Sequence, residues 1–253
     1  MWEYRQRLER QPYEEVSTST ADKAKIEDAK TAIGQRKVIG EYESRLLLDA
    51  YGIPNVPGGL ARTADEAETI AENIGYPVVL KIVAEGLIHK SDAGGIVLNL
   101  QNSEELRVAY DELLDRIRKN EPSAEIIGAM VEKMAKKGVE VIVGMRRDVT
   151  FGPLMMFGMG GTMVELVKDI QFRVAPLSKE DIHSMVSDTM AGKLLNGYRG
   201  APVADFHSLY EVIAQLSHLA LENTEIQEIE INPLIVYPQD EGVVAIDSRM
   251  ILA

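Results

Sequence analysis

Cysteine is absent from the 253 residues of this chain. Its absence excludes disulfide bonds, thiolate catalysis and cysteine–zinc centres. No apolar run approaches the ~20 residues that a membrane-spanning helix needs, and the opening residues, MWEYRQRLERQPYEEV, lack the apolar stretch of a secretory signal. We therefore expect a cytoplasmic protein that has no membrane partner.

Positive charge is also scarce. Lysine and arginine number 27 against 40 aspartate and glutamate residues, which gives a formal net charge of −13. A surface with this excess of negative charge repels polyanions, so we expect no nucleic-acid partner. Hydrophobic residues make up 45% of the chain, which is enough for the core of one large α/β domain or of two lobes.

Hydrophobic and turn patterns separate the start of the chain from the rest. Residues 1–35 are polar and helix-favouring, and they are predicted to form an N-terminal extension, either a loosely docked arm or a docking element for a partner. Globular patterning occupies residues 36–253. The segment 63–75 is predicted to be a helix, since Thr63 and Glu66 have the spacing of a capping box. Later strands follow one another through tight turns, which predicts an α+β fold with a partly antiparallel sheet.

The segment 80–96, LKIVAEGLIHKSDAGGI, is the most informative about function. A buried-strand pattern leads to Lys81, a loop then presents His89, and the paired glycines Gly94 and Gly95 allow the backbone to turn. A strand cation, a loop histidine and permissive glycines suit the handling of a phosphoryl group. Neutral His89 is a competent nucleophile towards phosphorus, because an unperturbed imidazole has a pKa near ~6.5.

Three charged residues in strand patterns each admit two interpretations. Lys81 either faces solvent or lies buried against an anion, since a buried charge requires a partner, and phosphate binding is the favoured interpretation. Glu132 and Glu140 either face solvent or bond to ribose hydroxyls or orient the phosphate-binding lysine. The other histidines lie in helix patterns and are expected to be surface or packing residues: His183, His207 and His218.

A further group comprises Glu230, Asn232 and Asp247. Glu230 and Asn232 occupy alternate positions of the predicted strand EINPLIV, so their side chains share a face. Asp247 lies on the next predicted strand and can sit opposite them. Three oxygen ligands in this arrangement suit Mg²⁺, which keeps several waters and bridges to nucleotide phosphates. The alternative is an exposed polar face of a sheet.

Together these motifs resemble the ATP-grasp subunit, or β subunit, of ADP-forming acyl-CoA synthetases, which are relatives of succinyl-CoA synthetase. The similarity runs from about Arg36 to Ala253. It is carried, in order, by LKIVAEGLIHKSDAGG, VEKMAKKGVEVIVG, FGMGGTMVELVKDIQFRVAPL, LNGYRG and EIEINPLIV with AID. The resemblance implies an ATP-grasp fold whose two lobes grip the nucleotide, the first at about 52–128 and the second at about 36–51 plus 129–253.

The resemblance also implies which residues contact the nucleotide. Lys81 matches the lysine on the ATP phosphates. Glu132, followed by Lys133 and Met134, matches the hinge near adenine and ribose, and Glu140 matches a later nucleotide-contacting glutamate. ATP or ADP is therefore the expected ligand.

Metal binding and phosphate transfer are implied in the same way. Asn232 and Asp247 match the Mg²⁺ ligands of that family, with Glu230 beside them. His89 matches its second phosphohistidine, the loop residue that ferries phosphate to ADP. The family reaction is acyl-CoA + ADP + phosphate ⇌ acid + CoA + ATP, and a companion α portion binds CoA and carries the first phosphohistidine.

The CoA-binding part is expected on a partner. This chain shows no Rossmann-type glycine fingerprint opening a βαβ unit, so the resemblance implies a separate α subunit or domain, in an α₂β₂ heterotetramer or a dimer of fused chains. Two other functions stay open. One is a stand-alone ATP-grasp carboxylate ligase that forms an acyl phosphate without a histidine carrier, and the other is a non-catalytic nucleotide-binding module that regulates a partner.

Overall fold

A computed structural model describes residues 21–87, 93–161 and 169–253. Its contacts divide the chain into two compact units: unit 1 combines the chain up to Asn55 with Lys137–Ala253, and unit 2 is Val56–Lys136. The helices are α1 (Lys23–Ile33), α2 (Glu41–Ala50), α3 (Ala64–Ile74), α4 (Ser103–Asn120), α5 (Lys179–Ser187), α6 (Met190–Leu195) and α7 (Phe206–Glu222). The strands are β1 (Val38–Ile39), β2 (Gly58–Ala61), β3 (Val78–Glu85), β4 (Ile96–Leu100), β5 (Glu125–Lys133), β6 (Val139–Asp148), β7 (Gly152–Met159), β8 (Ile170–Val174), β9 (Ile226–Val236), β10 (Val243–Ala245) and β11 (Ser248–Leu252).

Unit 1 is built on an antiparallel sheet that has seven strands within the described ranges. The strand order is β1-β11-β9-β6-β7-β8, and β10 pairs with β9. Burial alternates along β7, where Met155 and Phe157 are fully buried and Leu154 and Met156 are half-buried. Because successive side chains of a strand point to opposite faces, the core of unit 1 lies on one face of the sheet, against α2, α5, α6 and α7.

Helix α1 is part of that core. Asp22 caps it by accepting hydrogen bonds from the N–H groups of Ala24 at 3.0 Å and Lys25 at 3.3 Å. Ala29 and Ile33 are buried in the core of unit 1, and α1 packs along α2. The described part of the segment that was expected to be an extension therefore belongs to the core of unit 1. The polar composition of residues 1–35 hides this, because only a narrow apolar edge of α1 is buried.

Unit 2 is built on a four-stranded antiparallel sheet in the order β2-β5-β3-β4, packed against α3 and α4. Its core includes the fully buried Leu80, Leu106, Leu113 and Val131. Strand β5 hydrogen-bonds to both β2 and β3. The boundary of the unit therefore lies after Lys136 rather than at the expected 128, because pairing between distant strands is not visible in a local pattern.

The helices and antiparallel sheets of both units agree with the α+β prediction. Among the helices of the described ranges, none combines the length and the apolar composition needed to cross a bilayer.

Candidate functional site

The first candidate site, in unit 2, is a buried ion pair. Lys81 on β3 lies opposite Met130 of β5, and Glu132 lies opposite Val79. Lys81 and Glu132 are therefore diagonal neighbours on one face of the sheet, and Lys81 Nζ is 2.7 Å from Glu132 Oε2. The two residues are only 5% and 2% exposed. The solvent-facing interpretation of both residues is thus wrong.

Strand β2 lies close against the carboxylate of this pair. Gly58 is opposite Glu132, and a Cβ atom at Gly58 would lie 2.9 Å from Glu132 Cγ and 2.3 Å from the carbonyl oxygen of Val131. Only glycine leaves room for this approach. The position of the Glu132 side chain is therefore fixed by backbone on one side and by Lys81 on the other.

The end of β5, next to Glu132, is bordered by two prolines. The N–H of Lys133 donates to Pro57 O at 2.8 Å, and the N–H of Met134 donates to Pro77 O at 3.0 Å. Residues paired in this way normally exchange two hydrogen bonds, but proline has no N–H to return. The carbonyl oxygens of Lys133 and Met134 consequently receive no hydrogen bond from these two partners.

The side chain of Lys133 has a structural contact. Its Nζ donates to the carbonyl oxygens of Gly75 at 3.0 Å and Tyr76 at 2.7 Å. This contact ties the end of β5 to the end of α3. The structure therefore leaves the main chain of Lys133, rather than its ammonium group, as the part suited to a nucleotide.

The second candidate site, in unit 1, joins β9 and β11. Ile231 lies opposite Ser248, and one step further the N–H of Asn232 donates to Asp247 O at 3.0 Å. Asn232 and Asp247 are therefore directly opposite each other, and their side chains share a face. This is the arrangement that the strand pattern predicts. The amide Oδ1 of Asn232 also accepts the N–H of Gly161 at 2.8 Å.

Glu230 shares that face but pairs with an arginine. Arg249, which lies opposite Glu230, places its Nη2 atom 3.5 Å from Glu230 Oε2 and 3.2 Å from Glu228 Oε1. Asn232 Nδ2 is 3.4 Å from Glu230 Oε1. Glu230 therefore faces a guanidinium and an amide rather than joining Asn232 and Asp247 as an equal third oxygen ligand.

The donor set of this site fits a magnesium ion that is completed by a substrate. Within the described ranges, no three acidic, histidine or cysteine side chains form a group that could hold a metal by itself. Mg²⁺ is usually bound by one or two protein oxygens together with substrate phosphates and waters. The adjacent oxygens of Asn232 and Asp247 suit that coordination, whereas Glu230 is held by a neighbouring cation.

Glu140 belongs to this second site. Its carbonyl oxygen accepts the N–H of Gly160 at 3.0 Å. Gly161 has φ +61°, and a Cβ atom there would lie 2.1 Å from Glu140 Oε2. The backbone of Gly160 and Gly161 thus lies in close contact with both Glu140 and Asn232. The sequence did not reveal this contact, and its one signal was the paired glycine at the end of a strand pattern.

His89 lies outside the described residues. Two of the described histidines have ordinary surface contacts: His183 Nδ1 is 3.0 Å from the hydroxyl of Tyr210, and His207 Nε2 is 3.4 Å from Glu211 Oε1. These positions agree with the expected surface or packing roles.

A family model of the ATP-grasp domain matches residues 30–252. The chain belongs to the ATP-grasp family. This ATP-grasp chain is 43% identical over 227 residues to the β subunit of acetate–CoA ligase [ADP-forming] I from Pyrococcus furiosus, a match covering 90% of this chain and 96% of that subunit. It is 44% identical over 216 residues to acetate–CoA ligase [ADP-forming] I from Archaeoglobus fulgidus, where it covers 85% of this chain but spans only 31% of the relative.

A solved relative of this ATP-grasp chain is the dinucleotide-forming acetyl-coenzyme A synthetase 1 of Ca. Korarchaeum cryptofilum, in complex with coenzyme A, Ca-AMPCP and HgCl⁺. The two are 42% identical with a TM-score of 0.84, and the match covers 90% of this chain and 98% of that one. The same enzyme is also solved with Mg-AMPPCP, its phosphohistidine segment pointing towards the nucleotide binding site. The predicted family and the predicted ATP-grasp fold are confirmed, and the relatives are acid–CoA ligases.

Proposed function

We propose that the chain is the nucleotide-binding, phosphoryl-transferring subunit of an ADP-forming acyl-CoA synthetase. The complete enzyme interconverts acyl-CoA, ADP and phosphate with the free acid, CoA and ATP. The observation that carries this proposal is the buried Lys81–Glu132 pair, found in a chain 43% identical to a β subunit of acetate–CoA ligase. A charge buried at this depth is costly unless it has a partner, and an anionic phosphate is a second partner for the ammonium group.

In this function Lys81 binds the phosphates of ATP or ADP. An ammonium group has three donors, so it can contact Glu132 and phosphate oxygens together. Glu132 orients Lys81 through their ion pair. Phosphoryl transfer depends mainly on such positioning and on neutralising the negative phosphate oxygens.

The main chain at the end of β5 contacts the base. The carbonyl oxygens of Lys133 and Met134, which Pro57 and Pro77 leave without a returned hydrogen bond, accept from the amino group of adenine. The missing N–H groups of Pro57 and Pro77 support this contact of Lys133 and Met134 with the base.

Glu140 contacts the nucleotide from its place beside Gly161.

Asn232 and Asp247 hold the magnesium ion that accompanies the nucleotide, and Glu230 stabilises them through Asn232. When bound, the ion offsets charge on the phosphate oxygens. Asn232 is kept in place by the N–H of Gly161 and by its main-chain bond to Asp247. Replacing Asp247 by alanine therefore removes an ion ligand without removing the hydrogen bond that positions Asn232.

His89 carries the phosphoryl group. In the ATP-consuming direction a bond forms between the imidazole nitrogen and the γ-phosphorus, the bond from that phosphorus to ADP breaks, and ADP leaves. A phosphohistidine segment that points towards the nucleotide binding site of the Korarchaeum relative supports a histidine carrier in the complete enzyme. Transfer onwards takes place on a CoA-binding α subunit or domain, in an α₂β₂ assembly.

The test is phosphorylation by ATP labelled at its γ-phosphate, with the CoA-binding partner present. We expect label that is acid-labile and base-stable on the wild type and on His207→Ala, a control at an exposed histidine, and none on His89→Ala. Nucleotide affinity should be unchanged in His89→Ala, because the carrier is not the nucleotide clamp.

Three results would contradict the proposal. An unlabelled wild type would favour a stand-alone carboxylate ligase, and lost nucleotide affinity in His89→Ala would remove the carrier assignment. Normal acyl-CoA synthesis by Asp247→Ala would favour a regulatory module.

A further inference from the structure

Both carboxylate oxygens of Glu230 have partners beside the proposed ion site. Oε1 accepts from Asn232 Nδ2 at 3.4 Å, and Oε2 lies 3.5 Å from Arg249 Nη2. The same Nη2 atom lies 3.2 Å from Glu228 Oε1. Arg249 is therefore placed between two glutamates, and its guanidinium and the amide of Asn232 each hold one oxygen of Glu230.

The strand register explains why Arg249 is the cation at this place. Two residues lie directly opposite Glu230: Gly144 on β6 and Arg249 on β11. Gly144 has no side chain, and the end of Met156 lies over it, since a Cβ atom at Gly144 would be 2.9 Å from Met156 Cε. Across the sheet, Glu230 thus meets an apolar neighbour on one side and a guanidinium on the other.

The position of Glu230 matters because it decides the charge of the donor set. Glu230 and Asn232 share a face of β9, and Asp247 lies opposite Asn232. Asn232 and Asp247 together offer one negative charge, and Glu230 would add a second. The number of charged ligands tunes the affinity of an oxygen site for a divalent ion, and Mg²⁺ that is held by few carboxylates depends on substrate phosphates. Glu230 as a third ligand would therefore allow the ion to bind without a nucleotide.

The ion pairs of Arg249 add little to the stability of the fold. The side chain of Arg249 is 47% exposed, and those of Glu228 and Glu230 are 33% and 32% exposed. Pairs of such accessible groups contribute little to stability, because water screens them. A guanidinium beside an ion site still reduces the negative potential that attracts a cation. The location of Arg249 thus indicates an effect on the ion rather than on folding.

We propose that Arg249 is a positioning residue that makes ion binding depend on the nucleotide. By holding Glu230, Arg249 leaves Asn232 and Asp247 as an incomplete donor set, which the nucleotide phosphates complete. The nucleotide-free protein then does not retain a divalent ion, and the ion arrives together with ADP or ATP. This inference rests on the proposed function, because it takes Asn232 and Asp247 as the ion ligands.

Binding of Mn²⁺ to the nucleotide-free protein tests the role of Arg249. Mn²⁺ takes the same kind of oxygen ligands as Mg²⁺, and the electron paramagnetic resonance signal of the free ion measures how much stays unbound. We expect Arg249→Met to bind Mn²⁺ at least roughly 10-fold more tightly than the wild type, because the variant loses a positive charge and releases Glu230. The double variant Arg249→Met, Glu230→Gln should lose most of this gain.

Two further variants separate the position of Arg249 from its charge. Arg249→Lys keeps a cation at this place and should stay close to the wild type. Arg146→Met is the matched control, since Arg146 is an exposed arginine on the same face of the sheet, opposite Glu228 instead of Glu230. It should change the Mn²⁺ affinity much less than Arg249→Met does. Circular dichroism of each variant checks that the fold is kept.

Titration of the wild type with ADP, with and without Mn²⁺, provides the reference for the proposed function. We expect Mn²⁺ to strengthen ADP binding. If ADP bound equally well in both conditions, the proposed function and the role of Arg249 would both be wrong. If Mn²⁺ strengthened ADP binding but Arg249→Met gained no Mn²⁺ affinity without nucleotide, only the role of Arg249 would be wrong.

The remaining variants decide between positioning and simple loss of charge. A gain in Mn²⁺ affinity that the double variant Arg249→Met, Glu230→Gln retains would show that Glu230 is not the added ligand. An equal gain in Arg146→Met would show that any lost positive charge on this face has the same effect. Either result would overturn the positioning role of Arg249.

Discussion

The buried Lys81–Glu132 pair makes each residue dependent on the other. Its Nζ–Oε2 separation of 2.7 Å at nearly complete burial means that removing one member takes a close opposite charge away from the other, at a place remote from water. Breaking such a pair typically costs about 3–5 kcal/mol of stability, whereas replacing both members by uncharged groups costs much less. Stability and nucleotide binding can therefore be separated by substituting one or both residues.

Lys81→Met should lower nucleotide affinity by roughly 10- to 100-fold, since a hydrogen bond to a charged group contributes about 1.5–3 kcal/mol. It should also destabilise the protein. The double variant Lys81→Met, Glu132→Gln should recover most of the stability but not the affinity. Calorimetric titration with ADP and denaturant unfolding measure the two quantities. Unchanged ADP affinity in Lys81→Met would show that this lysine does not contact the phosphates.

At the scale of single residues, the sequence predicted which side chains are buried better than it predicted which residues they contact. Apolar neighbours on both sides indicated that Lys81 lies inside, and alternation placed Glu230 and Asn232 on one face. The contact between Asn232 and Gly161 joins residues 71 positions apart, and no local pattern contains it. Arg249 was missed for the same reason, although its position two residues after Asp247 was visible in the sequence.

At the scale of elements, Asp205 connects a helix to a strand turn. Its carboxylate accepts the N–H of Ser208 at 3.0 Å, the hydroxyl of Ser208 at 3.0 Å and the N–H of Gly242 at 2.9 Å. Burial by itself raises the pKa of Asp205, but these hydrogen bonds outweigh it and leave the pKa below its usual range. The charged form is therefore favoured by folding.

Asp205→Ala should destabilise the protein by about 1–3 kcal/mol, through loss of the cap of α7 and of the bond to Gly242. Because the folded pKa is lowered, the stabilisation is complete above the unfolded value of about 3.9 and is lost as the pH falls through the folded pKa. The variant should thus lose less stability on acidification than the wild type. Denaturant unfolding at several pH values measures this, with exposed Asp28→Ala as control. If the free energy of unfolding of Asp205→Ala fell as steeply on acidification as that of the wild type, the prediction would be contradicted.

Elements with local signals were predictable, and those defined by distant pairing were not. The helix expected at 63–75 is α3, with Thr63 accepting from the N–H of Glu66 at 3.2 Å and Gly75 at its C-terminal cap with φ +77°. The strand pattern around Glu132 corresponds to β5. The sequence did not show that β5 belongs to unit 2, because that depends on its pairing with β2 and β3. Helix α1 was missed as core because only two of its residues, Ala29 and Ile33, are buried.

At the scale of the whole molecule, the two units differ in connectivity. Unit 2 is one continuous stretch, Val56–Lys136, with its own sheet and its own buried core. Unit 1 needs two stretches of chain that are separated by unit 2. A continuous segment with a complete core has what it needs to fold alone.

The fragment 56–136 should therefore fold cooperatively in isolation, as measured by circular dichroism during thermal unfolding. Leu113→Ala removes a fully buried side chain and should cost about 2–5 kcal/mol, enough to unfold a domain of this size. Leu98→Ala, at a leucine that is 59% exposed, is the matched control and should have little effect. A fragment that shows no cooperative transition would contradict the independence of unit 2.

The sheet of unit 1 has a consequence for synthesis on the ribosome. Strand β1 pairs with β11, and β11 pairs with β9, so β1, the earliest described strand of this sheet, cannot pair with its described neighbour until Ser248–Leu252 has been synthesised. Domains generally fold as units during translation, the N-terminal one first. Here Val56–Lys136, which forms unit 2, is complete before β11 is synthesised, whereas β1 precedes unit 2 and must wait for β11 to follow it.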